Sequence, residues 1–161
     1  MKIRDTQIAD FPQILALNEE SVHFLSPLNT EQLDGLHAQA AYHRVAESDG
    51  AVQGFLLVLQ EGARYDSPNY LWFSQHFPRF LYIDRVVVAG SAQGLGVGRL
   101  LYEDLFRFAK MHGAGMITCE FDVEPPNLAS QRFHERFGFK EVGMQRVGAS
   151  RKLVSLQADA L

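Results

Sequence analysis

The chain has 161 residues, 47% hydrophobic and 21% charged, a length and balance that suit one globular core and exclude disorder. A net charge of -4 supplies no field for nucleic acid or anionic lipid, and one cysteine, Cys119, excludes an internal disulfide framework or a thiolate zinc site. No apolar run reaches the ~20 residues of a membrane span, and Met1-Lys2-Ile3-Arg4-Asp5 turns charged at once without a signal segment, so a soluble cytoplasmic domain is expected.

In chain order, Lys2-Ile3-Arg4 reads as a short strand, and a helix begins near Asp10 with Ile14, Leu15, Leu17 and Val22 on its apolar side. Asp10 is its candidate N-cap with Pro12 just inside, and Pro27 should end or interrupt it. A second helix is expected from Thr30 to Ala38, with Thr30 as cap. Two strand-like runs, 42–46 and 52–59, flank Asp49-Gly50, a hairpin signature. Residues 61–80 show little periodicity but are rich in aromatics: Tyr65, Tyr70, Trp72, Phe73, Phe77 and Phe80.

Residues 81–88 then read as a central strand, apolar on both faces near its end. Helical spacing over 99–112 puts Leu101, Leu105 and Phe108 on one side, and Gly113 supplies the stop. A strand over 116–121, a short helix over 127–137 stopped by Gly138, and a hairpin around Gly148 complete the chain. The expected fold is mixed α/β (α+β): one domain over 1–161 with a central sheet of about 7 strands flanked by about 4 helices. It contains one parallel, right-handed strand–helix–strand crossover.

Four of the 13 glycines, Gly90, Gly94, Gly96 and Gly98, fall between the central strand and its following helix. Glycines there let the backbone approach a ligand closely and turn N–H groups inward, while the helix start adds unpaired N–H groups and a positive dipole end. The product is a phosphate cradle that needs no net positive charge, with Arg99 as one added cation. The bland alternative is a flexible connector. A nucleotide P-loop requires Gly-Lys-Ser/Thr where this chain has Gly98-Arg99-Leu100. A dinucleotide fingerprint wants its first glycine directly after the strand and its third where Arg99 stands; Glu120 about 20 residues on keeps that reading open.

Val86-Val87-Val88, followed by Gln93-Gly94-Leu95-Gly96-Val97-Gly98-Arg99, resembles the acyl-CoA-binding motif of the GNAT acetyltransferases. Asn127 through Phe139, closing on Phe137-Gly138-Phe139, is similar to that family's second signature, and the order of elements matches its fold throughout. The nearest likeness is to uncharacterised bacterial members. The resemblance implies an acetyl-CoA-dependent N-acetyltransferase (an acyltransferase) acting on the amine of a small molecule or a peptide N-terminus. By that likeness the backbone of Val86, Val87 and Val88 pairs with the pantetheine arm, and the N–H of Val87 or Val88 faces the thioester carbonyl. Gln93, Gly94, Leu95, Gly96, Val97, Gly98 and Arg99 hold the pyrophosphate, and Asn127 reaches the cofactor from the next helix.

His134 stands where the family most often has a tyrosine that protonates the leaving thiolate. An imidazole with an ordinary pKa of about 6.5 suits that task; the alternatives are cofactor contact without proton transfer, or neither. The attacking amine must be neutral, so a general base is expected, with Asp84 and Glu120 as candidates. Asp84, among Leu81, Ile83 and Val86, is either a desolvated base or the ion-pair partner of adjacent Arg85 or another basic group. Glu120 is a base, an anchor for the substrate ammonium, or a solvated charge, and Asp122 and Glu124 extend its acidic run.

Cys119 reads as a buried structural thiol. His23, His37, His43, His76 and His112 lack metal spacing, so no metal is expected. The aromatic segment is a pocket wall, a lid, a homodimer contact or a satellite core, and the turn Phe24-Leu25-Ser26-Pro27-Leu28 is a second substrate wall.

Overall fold

A computed structural model describes residues 1–22 and 25–161. Seven strands run along the chain: β1 (Lys2–Asp5), β2 (Tyr42–Ser48), β3 (Ala51–Gln60), β4 (Leu81–Val88), β5 (Met116–Glu124), β6 (Lys140–Val147) and β7 (Lys152–Ala160). Five helices accompany them: α1 (Phe11–Glu20), α2 (Thr30–Gln39), α3 (Pro68–His76), α4 (Val97–Met111) and α5 (Leu128–Phe137). The strands are hydrogen-bonded in the order β1-β2-β3-β4-β5-β7-β6. The expected mixed α/β architecture is what forms, with one helix more than the sequence suggested. No helix among the described residues is long and apolar enough to cross a membrane. The chain divides into two compact units, Met1–Leu59 with Ile83–Phe108, and Gln60–Tyr82 with Ala109–Leu161.

In the first unit β1, β2 and β3 pair antiparallel. The Asp49-Gly50 turn has φ of 54° and 77°, the mirror-image turn whose twist matches the flanking strands. Between β2 and β4, β3 buries Phe55 through Leu59 completely, as a strand covered on both faces must. Ile14 and Leu17 of α1 and Leu33 and Leu36 of α2 join this core. The caps differ from the sequence reading. Asn29, not Thr30, caps α2, accepting from the Gln32 amide at 2.8 Å. Asp10 spends its carboxylate on the Arg4 guanidinium and the Gln7 amide instead of capping α1. α1 ends at Glu20, well before Pro27.

His43 of β2 is buried between Phe55 and His37, its Nδ1 2.8 Å from that of His37. Burial, with His37 adding to it against an opposing Asp10, pushes its pKa down to about 3. The unfolded chain therefore binds this proton first. Stability is complete above the unfolded value near 6.5 and declines as pH falls towards 3, by up to about 1.4 kcal/mol per pH unit. Urea melts from pH 7 to 4 should show that loss, and His43→Phe should flatten it. An unchanged slope in the variant would remove His43 as its source.

In the second unit β7 pairs antiparallel with both β5 and β6, and the start of β4 pairs parallel with β5 through Leu81↔Ile117 and Tyr82↔Thr118. The crossover is thus parallel, as its length required. The additional helix, α3, lies in the aromatic segment. It starts at Ser67-Pro68, with proline in the first turn where its missing N–H costs nothing. Tyr70, Phe73 and Phe80 are buried; Tyr70 and Phe73 each meet both Phe80 and Tyr82 in edge-on and tilted contacts, centroids 5.5–6.1 Å apart. The Tyr70 hydroxyl donates to the Gln60 carbonyl. Trp72 lies against Gly143 of β6 so closely that a Cβ there would sit 2.4 Å from its ring. These rings form a satellite core, one of the roles the sequence left open. Cys119 is buried, and desolvation raises its thiol well above the usual value, in keeping with a structural part.

Candidate active site

The glycine segment and β4 from Ile83 onward belong to the first unit. The Ala89 amide donates to the Gln53 carbonyl at 2.8 Å, and a Cβ at Gly54 would lie 2.8 Å from the Val87 carbonyl oxygen. Residues 87 and 89 therefore turn their backbone polar groups to β3. Strand alternation then points those of Val86 and Val88 the opposite way. Of the two amides proposed to face a thioester carbonyl, Val87 and Val88, this geometry favours Val88. The Val88 carbonyl accepts from the Gln93 side chain at 3.2 Å, which ties the strand end to the loop.

Gly94 and Gly96 both adopt φ of +81°, open to glycine and strained for other residues. A Cβ at either would meet nothing within 4 Å, so these glycines serve backbone conformation and open approach, not packing. Leu95 donates to Ala92 and Leu100 to Gly96. Among the described residues the amides of Gly94, Gly96, Val97 and Gly98 take no hydrogen bond. Successive unpaired N–H groups around left-handed residues, at the positive end of the 15-residue α4, fit a pyrophosphate. Arg99 is exposed beside Glu103, at 3.5 Å.

Asp84 is also in the first unit. Its carboxylate accepts from Arg85 Nε at 2.7 Å, and both side chains are 4% exposed. Arg85 further donates to Asn18 Oδ1 at 2.9 Å and to the Ser26 carbonyl and hydroxyl, each at 3.3 Å. Asp84 thus adopts the ion-pair alternative. Sequence reasoning saw the adjacent pair but not Asn18 and Ser26, whose convergence has no local signal. Of the expected wall at 24–28, Phe24 lies outside the described residues; Ser26 is one of Arg85's partners.

Glu120, Asn127 and His134 belong to the second unit. Glu120 is half-buried on β5 and accepts from the Tyr82 hydroxyl at 2.5 Å. The parallel register makes this pair, since Tyr82 lies beside Thr118 and Glu120 follows on the same strand face. That register is the signal that could have found Tyr82. Asn127 caps α5, its side-chain oxygen accepting from the Ser130 amide at 3.2 Å. One turn on, His134 Nδ1 lies 2.7 Å from the Ser130 carbonyl, which can only accept, so Nδ1 carries the proton.

The His134 ring is 5% exposed, among Phe121, Phe133 and Phe139. Burial lowers its pKa against the opposing pull of the Ser130 hydrogen bond, so the neutral form, with Nε2 as acceptor, prevails near pH 7. A neutral imidazole with its one proton already donated to a carbonyl is poorly placed to protonate a thiolate.

A family model described as Acetyltransferase (GNAT) family matches residues 3–139. Phosphinothricin N-acetyltransferase of Streptomyces coelicolor is 41% identical over 61 residues, a stretch that is 38% of this chain and 34% of that enzyme, so the match spans about a third of the relative's length. Ard1 from Thermoplasma volcanium shares the fold with a TM-score of 0.81 at 15% identity, covering 99% of this chain and 97% of that one. Arabidopsis thaliana Naa50, solved in complex with the bisubstrate analogue CoA-Ac-MVNAL, gives a TM-score of 0.76 at 14% identity over 99% and 98%. With the family model spanning the glycine loop, β5 and α5, the chain belongs to the GNAT family of acetyltransferases, whose acyl donor is acetyl-CoA.

Proposed function

We propose that the protein moves the acetyl group of acetyl-CoA directly to the amine of a small molecule or a peptide N-terminus, in the cytoplasm of a bacterial cell. The observation that carries this reading is the set of unpaired amides of Gly94, Gly96, Val97 and Gly98 at the head of α4. When bound, acetyl-CoA supplies the activated thioester. The backbone of Val86 and Val88 would hold its arm, and the Val88 N–H would be the donor available to stabilise negative charge on a carbonyl oxygen. Gly94 to Arg99 hold the pyrophosphate, and Asn127 offers its side-chain N–H groups, its oxygen being taken by the cap. Glu120 receives the proton of the attacking amine, with Tyr82 as the residue that positions it. Asp84, fully engaged with Arg85, supports β4 and takes no proton.

His134 is then a positioning residue for α5 and no acid, so the electron pair of the broken thioester C–S bond would leave on sulfur as a thiolate that takes its proton from solvent. His134→Gln should lower the melting temperature while the alkaline limb of the kcat/KM profile stays in place; loss of that limb would return the acid role to it. The burial of His134 favours one other reading, a CoA-binding protein without turnover.

Melting the protein with acetyl-CoA, CoA or NAD, then following thiol release with a panel of amines, separates these readings. Stabilisation by acetyl-CoA with acetylation of at least one amine supports transfer, and stabilisation alone supports the binding protein. A shift with NAD and none with CoA would end both. Gly96→Val, strained at φ +81° and crowding the ligand side, should weaken acetyl-CoA by at least about tenfold, read by the same melt.

A further inference from the structure

In the second unit, the C-terminal end of β5 and the β6–β7 turn border an open hollow of about 360 Å³, lined by Glu124, Pro125, Arg146, Ser150, Arg151 and Lys152. Three of these six residues are cationic and one is anionic, in a chain whose net charge is -4. Two of the cations have carboxylate neighbours: Arg146 Nη2 lies 3.3 Å from Glu124, and Lys152 Nζ lies 3.1 Å from Asp122. The Arg151 guanidinium has no carboxylate partner among the described residues.

Arg151 also has a backbone φ of +57°, a left-handed conformation unfavourable for a residue with a Cβ. Its amide closes the turn on the Gly148 carbonyl at 3.1 Å, and its carbonyl accepts from Arg146 Nη1 at 3.0 Å. The turn thus holds one arginine by the backbone of another. Strained non-glycine residues persist where surrounding contacts over-determine them, and such places cluster at ligand sites.

The same strand joins this hollow to Glu120. Glu124 is four residues further along β5, a span of at most roughly 13 Å at the rise of a strand, since β5 carries a bulge between Asp122 and Glu124. One end therefore offers a carboxylate to an amine, and the other offers cations to an anion. Ligands of open α/β sheets bind beyond the carboxyl ends of parallel strands, the end at which the hollow lies.

We propose that this hollow is an anion subsite for the acceptor, which is an amine carrying a carboxylate or phosphate up to roughly 13 Å from its nitrogen. The assignment rests on Glu120 receiving the amine. The spacing fits an extended peptide with an acidic residue three to five positions from its N-terminus, at about 3.4 Å per residue. A compact amino acid does not span it.

The test uses the full chain saturated with acetyl-CoA and three peptides differing only at the fourth residue: Glu, Gln or Lys. Binding is read by anisotropy of a C-terminal dye and acetylation by mass spectrometry. The Glu peptide should be favoured over the Lys peptide by at least about tenfold in both readouts, and Arg151→Glu should abolish or reverse that preference while the melting shift with acetyl-CoA is retained. A phosphate-bearing alkylamine of matching length forms a second arm, and its preference over the peptides would make a small molecule the source of the anion. Charge-selective binding without acetylation would keep the subsite and remove the transfer reaction. Acetylation without charge preference, or a preference untouched by Arg151→Glu, would remove the subsite and keep the reaction.

Discussion

Glu120→Gln should lower kcat/KM by about 100-fold or more, the contribution expected of a positioned general base, while acetyl-CoA binding is retained. The reason is the divided structure of the task. The glycine loop and the outward amides of Val86 and Val88, proposed to hold the acyl donor, sit in one unit, and Glu120 has no part in that proposed hold. Glu120 is half-buried on β5, oriented by a hydroxyl from the start of β4. Glutamine keeps its size and can still accept from Tyr82, but it takes no proton. Tyr82→Phe retains the ring contacts with Tyr70 and Phe73 and removes the donated hydrogen bond, so its loss should be smaller, on the order of tenfold, and fall on kcat. Steady-state rates on an amine whose chemistry is rate-limiting check both. Turnover within twofold of the parent for Glu120→Gln would remove it as the base.

Arg85→Met is the substitution expected to cost most in stability, about 3 to 5 kcal/mol. It would strand the Asp84 carboxylate, 4% exposed, without its guanidinium, and take the Arg85 donor from Asn18 Oδ1 and the Ser26 hydroxyl, while the Ser26 carbonyl keeps the Asn18 side-chain amide. At this chain length the loss is a fall of on the order of 10 °C in Tm. The double variant Asp84→Asn with Arg85→Met should recover part of it, because no unpaired charge is then buried. Urea unfolding of the four proteins in the cycle measures the coupling. A loss under 1 kcal/mol for Arg85→Met would mean that water reaches the pair. Asp84→Asn with turnover retained would confine that carboxylate to holding β4.

Elements with a local signature are legible in the sequence alone. Asp49-Gly50 needs two left-handed residues in succession, and only a few residue types tolerate that. Gly94 and Gly96 mark a loop for the same reason, and α4 declares itself by one apolar stripe. α3 escaped notice because its aromatics serve more than one face: Tyr70 and Phe73 point into the core while Trp72 meets Gly143. A helix used on several sides shows no single period. The cap of α2 was misplaced by one residue because Asn29 and Thr30 are both good caps, and only the bond to Gln32 distinguishes them.

The candidate site divides along the same line. The proposed cradle draws on ten consecutive residues, 90–99, so the sequence by itself carries that proposal, and with it the acyl-CoA reading that the family match supports. The roles of the side chains were decided by partners far along the chain. Arg85 meets Asn18, 67 positions away, and Tyr82 meets Glu120 across 38. His134 is surrounded by Phe121 and Phe139, and its one proton goes to Ser130. Composition and spacing name a titratable group, but its burial and hydrogen-bond partner decide whether it can exchange a proton, and both arise only when distant segments pack together. The net charge of -4 is a case of both. By itself it allowed an anion only at a local cradle of backbone amides, while the tertiary structure gathers Arg146, Arg151 and Lys152 into a second local field that no sum over the chain reveals.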